Sequence, residues 1–174
     1  MMKIVKAQQA HIPEIQEIYA FHVINGIATF ETAPPEDAEM ADRLKKVTDA
    51  GTPWLVAEEN GKVIGYCYLM NYHSRFAYRF TLEDSVYIHP ECTGRGVGRA
   101  LLTEAIRIAE LAGYRQLIAI IGNSENHASL ALHRSLGFEL TGILKSVGFK
   151  HGRWVDTVIM QRDLGVGGSQ LPHE

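Results

Sequence analysis

The apolar pattern of the chain predicts a mixed α/β domain, its elements in the order β-α-α-β-β-β-α-β-α-β-β. Three observations carry that reading. Asn60-Gly61 joins two strand-like runs, 54–59 and 62–72, as a hairpin, which makes the middle of the sheet antiparallel. Helical spacing of apolar residues returns beyond residue 97, and a short continuous apolar run, Leu117 to Ile121, follows it as a strand covered on both faces. Two further strands, about 139–149 and 153–162, close the domain. An antiparallel run between the helices argues against a dinucleotide-binding fold of plain strand–helix alternation.

Each element has a local reason. Residues 3–6 form a short strand. Ile12, Ile15, Ile18, Tyr19 and His22 recur at three and four, and Pro13 sits near the helix start, where its missing N–H does no harm. A loop through Asn25-Gly26 and Phe30 leads to Pro34-Pro35, which opens a second helix over 36–49, and Gly51-Thr52-Pro53 stops it. A strand from about 78 to 88 ends at Pro90. Val97, Leu101, Ala105, Ile108, Ala109 and Ala112 mark the buried stripe of the third helix, with Gly113 as its stop. Ser124 caps a fourth helix over 125–136, closed by Gly137, and the last two strands meet at Lys150-His151-Gly152. Residues 1–164 read as one domain and 165–174, beginning Gly165-Val166-Gly167-Gly168, as a flexible tail.

Composition excludes several classes. Seventeen Lys and Arg against twenty Asp and Glu give −3, with no clustered basic run for a nucleic-acid backbone. No apolar stretch approaches the roughly 20 residues that span a bilayer, and the N-terminus lacks a signal-peptide core. Cys67 and Cys92 are too few for a disulfide scaffold and suit a reducing cytoplasm. His11, His22, His73, His89, His127, His151 and His173 show no metal-like spacing with carboxylates or cysteines, so no metal is expected.

The most informative segment is Gly94-Arg95-Gly96-Val97-Gly98-Arg99, placed after a strand and opening a helix. Glycines there let the backbone approach a ligand, and free amides at the positive end of a helix favour a diphosphate. A tight turn of small residues explains the glycines equally well, but a turn has no need of Arg95 and Arg99. The spacing fits neither the dinucleotide fingerprint nor the nucleotide-triphosphate loop.

This loop, its preceding strand and the later Asn126, Leu132-His133 and Gly137-Phe138 resemble the Gcn5-related N-acetyltransferase (GNAT) superfamily. Four further segments, in order, are similar to phosphinothricin and methionine sulfoximine acetyltransferases: Trp54-Leu55-Val56-Ala57-Glu58, Glu83-Asp84-Ser85-Val86-Tyr87-Ile88, Ile120-Ile121-Gly122, and Val147-Gly148-Phe149-Lys150-His151-Gly152-Arg153-Trp154. The resemblance covers roughly residues 3–164. It departs at Thr93, where the superfamily usually carries Gln or Arg; one side-chain contact is thereby in question, while the backbone cradle stays. It implies a GNAT fold, a mixed central sheet with strands 4 and 5 splayed and helices on both faces. Acetyl-coenzyme A would lie in the gap, its pantetheine arm along Val86, Tyr87 and Ile88, its diphosphate on Gly94, Arg95, Gly96, Val97, Gly98 and Arg99, with Asn126 bonding the arm. A homodimer is a family expectation.

Acetyl transfer to an amine needs a neutral nitrogen, yet a free amine is mostly protonated near neutrality, so the site needs a base. Strand alternation places Thr81, Glu83, Ser85 and Tyr87 on one face and Leu82, Val86 and Ile88 on the other, with Asp84 interrupting the apolar stripe. A bulge would change which carboxylate faces the substrate. The resemblance selects Glu83 as base. It also marks His133 as an acid near the thioester or as a partner that orients substrate; as an isolated helix residue it reads as packing. For the acceptor, an amino acid with a tetrahedral polar end, Arg75 and then Arg79 offer bidentate contacts, and Phe30 and Tyr78 an apolar wall; Arg79 also reads as a surface residue and Phe30 as core. The implied acceptors are phosphinothricin, methionine sulfoximine and methionine sulfone. Alternatives are an acetyltransferase for a polyamine or protein N-terminus, and a non-catalytic acyl-coenzyme A sensor.

Overall fold

A computed structural model describes residues 1–173. Along the chain, β1 (Lys3–Lys6), α1 (Ile12–Asn25), α2 (Asp37–Asp49), β2 (Trp54–Glu59), β3 (Lys62–Asn71) and β4 (Thr81–Ile88) lead into α3 (Val97–Leu111), β5 (Gln116–Gly122), α4 (His127–Ser135), β6 (Glu139–Lys150) and β7 (Arg153–Asp163). The strands form one seven-stranded sheet in the order β1-β2-β3-β4-β5-β7-β6.

Strand alternation sends apolar side chains to both faces, and each face has its own core. Leu55, Ala57, Cys67, Leu69 and Leu82 turn toward α3, where Val97, Leu101, Leu102, Ala105, Ile106 and Ala109 form the buried stripe. The stripe is rotated from the expected one: Leu102 and Ile106 are buried while Ala112 is exposed, because α3 also packs toward Phe138 and Leu164. On the other face Trp54, Val56 and Tyr66 meet Ile15, Ile18 and Tyr19 of α1 and Met40, Leu44 and Val47 of α2. Truncating one of these, such as Leu101→Ala, costs about 2–5 kcal/mol.

Two boundaries differ from expectation. β4 starts at Thr81 because Phe76–Tyr78 coils into a 3₁₀ turn. Asn126, not Ser124, caps α4: its side chain accepts from Ser129 N–H, while Ser124 Oγ donates to Asp156 at 3.0 Å. Of the segment after residue 164, Gly165 N–H bonds Glu110, and Arg115 holds the carbonyls of Gly167, Gln170 and Leu171.

The feature that positions the site is a split in the sheet. β4 and β5 are parallel and pair only at Thr81–Gln116, Leu82–Leu117 and Glu83–Ile118. Beyond Glu83 they diverge, β4 staying on β3 as far as Ile88 and β5 staying on β7 as far as Gly122.

Candidate active site

A cavity of about 230 Å³ fills the split, lined among others by Phe30, Glu83, Val86, Tyr87, Asn126 and His133. Six residues singled out in the sequence thus converge from three segments, the α1–α2 loop, β4 and α4 with its cap. Backbone phase explains one side of it. Tyr72 N–H bonds Thr81 O and His89 N–H bonds Ile64 O, so the odd-numbered residues of β4 spend their backbone groups on β3. Asp84, Val86 and Ile88 turn theirs toward the gap. Ile88 O is taken by His22 Nε2–H at 2.8 Å, and Tyr87, which also lines the cavity, packs its ring against Tyr19 and Tyr66.

The glycine loop lies at the mouth of the gap. Gly94 and Gly96 have φ of 74° and 80°, the left-handed region where a side chain is strained. A Cβ on either would meet nothing within 4 Å, so conformation and not packing demands glycine there. Gly98 differs: a Cβ there would lie 3.1 Å from Leu132, which lets α3 start close against α4. The first helical bond runs from Ala100 N–H to Gly96 O, leaving the N–H groups of Val97, Gly98 and Arg99 ahead of the ladder. Those amides and the helix's positive end fit a diphosphate. Asn126 spends Oδ1 on the Ser129 N–H, which leaves its amide N–H pair for a ligand. The two arginines of the loop already have partners, Arg95 on Glu59 at 2.6 Å and Arg99 on Ser135 Oγ at 2.7 Å.

β4 pairs with β3 in unbroken register, without the bulge considered above, so Glu83 and Asp84 take opposite faces. Asp84 points toward α4 and is only 7% exposed; His133, 3% exposed, sets Nε2 2.9 Å from its Oδ2. His133 Nδ1 lies 2.7 Å from Ser129 O, which only accepts, so Nδ1 carries a proton. Burial opposes a charge on the ring, but the Asp84 carboxylate and the Ser129 carbonyl outweigh it and hold His133 above the ordinary histidine range. Both ring nitrogens are therefore engaged within the protein. Glu83 is half-buried; desolvation first, and the neighbouring Asp84 charge second, push its carboxyl up to about 7. A carboxyl poised there exchanges a proton near neutral pH.

Phe30 arrives on the loop between α1 and α2, which several contacts missed in the sequence hold down. The Tyr19 hydroxyl donates to Glu31 at 2.6 Å and meets Thr29 Oγ1 at 2.8 Å, while Arg43 binds Glu31 through both guanidinium Nη atoms. Lys150, 5% exposed, donates Nζ to Thr29 O at 2.8 Å. Each partner is remote in sequence, and a buried lysine at a strand end leaves no periodic signal. Arg75, Tyr78 and Arg79 do not line the cavity. They sit around the 3₁₀ turn before β4, where Arg79 stacks on Phe76 and Phe80 and Tyr78 packs on Tyr72 and His73. Among the described residues no group of three or more His, Cys, Asp or Glu could hold a metal ion.

A split parallel pair, a glycine-started helix at its mouth and a poised carboxyl within it define an acyl-transfer site. The chain belongs to the GNAT acetyltransferases: the family described as "Acetyltransferase (GNAT) domain" matches residues 4–159. Among individual proteins it is 57% identical to a phosphinothricin N-acetyltransferase of Alcaligenes faecalis, over 92% of this chain and 82% of that one. It is 38% identical to an L-methionine sulfoximine/L-methionine sulfone acetyltransferase of Salmonella typhimurium, over 91% and 92%. The crystal structure of a GNAT superfamily phosphinothricin acetyltransferase from Sinorhizobium meliloti in complex with acetyl-coenzyme A superposes with a TM-score of 0.96 at 48% identity, covering 99% of this chain and 94% of that one. The protein is an acetyl-coenzyme A-dependent N-acetyltransferase; the fold expected from the resemblance, splayed strands included, is the one observed.

Proposed function

We propose that the enzyme acetylates the amino group of a small amino acid bearing a tetrahedral polar end, phosphinothricin, methionine sulfoximine or methionine sulfone, with Glu83 as general base. The observation that carries this is the Glu83 carboxyl, raised to about 7 within the cavity where β4 and β5 part. The relatives' substrates supply the acceptor class. Acetyl-coenzyme A supplies a thioester acetyl group when it lies in the gap. Val86 offers its backbone groups to the pantetheine arm, Asn126 its amide, and Val97, Gly98 and Arg99 their N–H groups to the diphosphate. Glu83, ionised, takes the proton from the acceptor ammonium and leaves a nucleophilic amine; the amine would form the N–C bond as the thioester C–S bond breaks, the departing thiolate taking the proton that the new amide nitrogen gives up. Asp84, fixed in place by His133, keeps its carboxylate next to Glu83. His133 is thus an orienting residue, since neither ring nitrogen is free to act as the acid.

Arg75 is the proposed contact for the acceptor's acidic end. Unlike Arg79, Arg95 and Arg99, it makes no side-chain bond among the described residues. The chain is further proposed to work as a homodimer through β6, an edge strand that exposes Leu140, Ile143, Leu144, Val147 and Phe149 beside Trp154. A cytoplasmic setting, where both free thiols stay reduced and phosphinothricin or its analogues are detoxified, completes the reading. Among the described residues no helix is long and apolar enough to cross a membrane.

Thiol release from acetyl-coenzyme A with phosphinothricin, methionine sulfoximine, methionine sulfone, spermidine and an Ala-started peptide tests the proposal. Turnover confined to the first three supports it; turnover confined to the peptide or the polyamine overturns the acceptor assignment.

A further inference from the structure

Gly148 has no conformational reason to be glycine, because its φ lies outside the left-handed region. Its reason is contact. A Cβ at 148 would stand between 2.4 and 2.9 Å from three atoms of the Phe30 ring, closer than real Cβ atoms come. Across the ring, a Cβ at Gly122 would lie 3.2 Å from Phe30 Cε1 and 2.5 Å from Ile27 O. The Phe30 ring therefore rests directly on the backbone of two strands, β6 and β5, that are not neighbours in the sheet.

The seat is built by an irregularity in β6. Its pairing with β7 breaks between Leu144 and Gly148, with Ser146 at a φ of 53° and its N–H held by Asp156 at 2.9 Å. Past the break Gly148 and Lys150 share a face, and both are buried under the loop that carries Phe30. Gly148 receives the ring, and Lys150 receives the carbonyl of the residue before it. The ring's remaining surface, with Thr29 and Glu83, lines the cavity.

We propose that Gly148 is a specificity-determining position of the acceptor site: the missing side chain seats Phe30 against the sheet and so sets the room left beside Glu83 for the acceptor's own side chain. This rests on the assignment of the Phe30–Glu83 end of the cavity to the acceptor. A methyl group at 148 displaces the wall and leaves the cofactor side, built on Val86, Asn126 and the glycine loop, untouched.

The experiment is a double-mutant cycle of Gly148→Ala and Phe30→Ala, read as KM for methionine sulfone and, separately, KM for acetyl-coenzyme A, with melting temperatures to confirm folding. In the wild-type background Gly148→Ala raises the acceptor KM about tenfold or more, the scale of overpacking a filled site. Its acetyl-coenzyme A KM stays within about twofold. With the ring removed by Phe30→Ala, adding Gly148→Ala changes the acceptor KM less than about twofold. An unchanged acceptor KM in Gly148→Ala, or an equal loss in both backgrounds, overturns the proposal. Should the wild type acetylate none of the amino acids, the acceptor reading fails by itself. The crystal structure of Gly148→Ala then decides the seat: a displaced Phe30 ring upholds it, and an unmoved ring overturns it.

Discussion

The two ends of the cleft are made of different materials. The end proposed for the cofactor is backbone: the gap-facing edge of β4, the left-handed Gly94 and Gly96, and the leading amides of α3. The end proposed for the acceptor is made by side chains from segments far apart in sequence, Phe30 on its loop, Glu83 on β4 and Lys150 on β6, with Gly148 leaving room for the ring. A backbone site tolerates many sequences as long as the dihedrals survive. A side-chain site changes its preference with one substitution. The difference teaches that cofactor and acceptor binding should fail separately, and the following variants are chosen to separate them.

The largest effect is expected for Glu83→Gln, which removes the proposed base and keeps the shape. Its kcat falls about 10²–10⁴-fold with the acetyl-coenzyme A KM little changed, as steady-state kinetics will show. Next is Gly96→Val, which forces a β-branched residue to a φ of 80°. Strain of about 1–3 kcal/mol falls on the loop, so acetyl-coenzyme A affinity by calorimetry drops at least about fivefold while far-ultraviolet dichroism stays native. If that variant instead lost acceptor affinity alone, the division of the cleft would be wrong.

Asp84→Asn keeps the volume and removes the charge that faces Glu83 and His133. Stability falls by about 1–3 kcal/mol in denaturant titrations, because the buried imidazole loses its counter-charge. The acid limb of the kcat profile also moves below the wild-type position, since one of the two causes that raise Glu83 is gone. Lys150→Met is the smallest change. It frees the Thr29 carbonyl, and the acceptor KM rises a few-fold at constant acetyl-coenzyme A KM.

Glu83 also couples stability to pH. Its folded value, about 7, lies above the ordinary 4.5, so between those limits the native state holds a proton that the unfolded state has released. Stability is therefore lost as pH rises through that window. Glu83→Gln lacks the loss, and its melting temperature relative to wild type should grow from about pH 5 to about pH 8.

How much of this was legible in the sequence follows the same division. Helix α1 announced itself through Ile12, Ile15, Ile18 and Tyr19, and the hairpin through Asn60-Gly61, because periodicity and turn chemistry are local. The turn of the glycine loop could be read because Gly94 and Gly96 take dihedrals that only glycine takes easily. Glu83 was visible as a carboxylate on a strand, but the Asp84–His133 pair was not, since a regular register, not the bulge weighed in advance, sends Asp84 to α4. The cap of α4 moved from Ser124 to Asn126 because Asp156, on β7, claims the serine hydroxyl. In the sequence Lys150 stands only in a turn and a matching segment, and Gly148 only in that segment. Their meaning depends on Thr29 and Phe30, more than a hundred positions away. Arg75, Tyr78 and Arg79, close to Glu83 in sequence, gather around the 3₁₀ turn before β4 and do not line the cavity, a separation that sequence distance does not reveal.

The most direct test of the central claim is the pH dependence of kcat for wild type and Glu83→Gln with a saturating acceptor. The wild type should rise through an acid limb near pH 7, the point at which the Glu83 carboxyl ionises. In the variant the residual rate should lack that limb. A limb of the same position and depth in both enzymes would contradict the account, because the group that titrates would then not be Glu83.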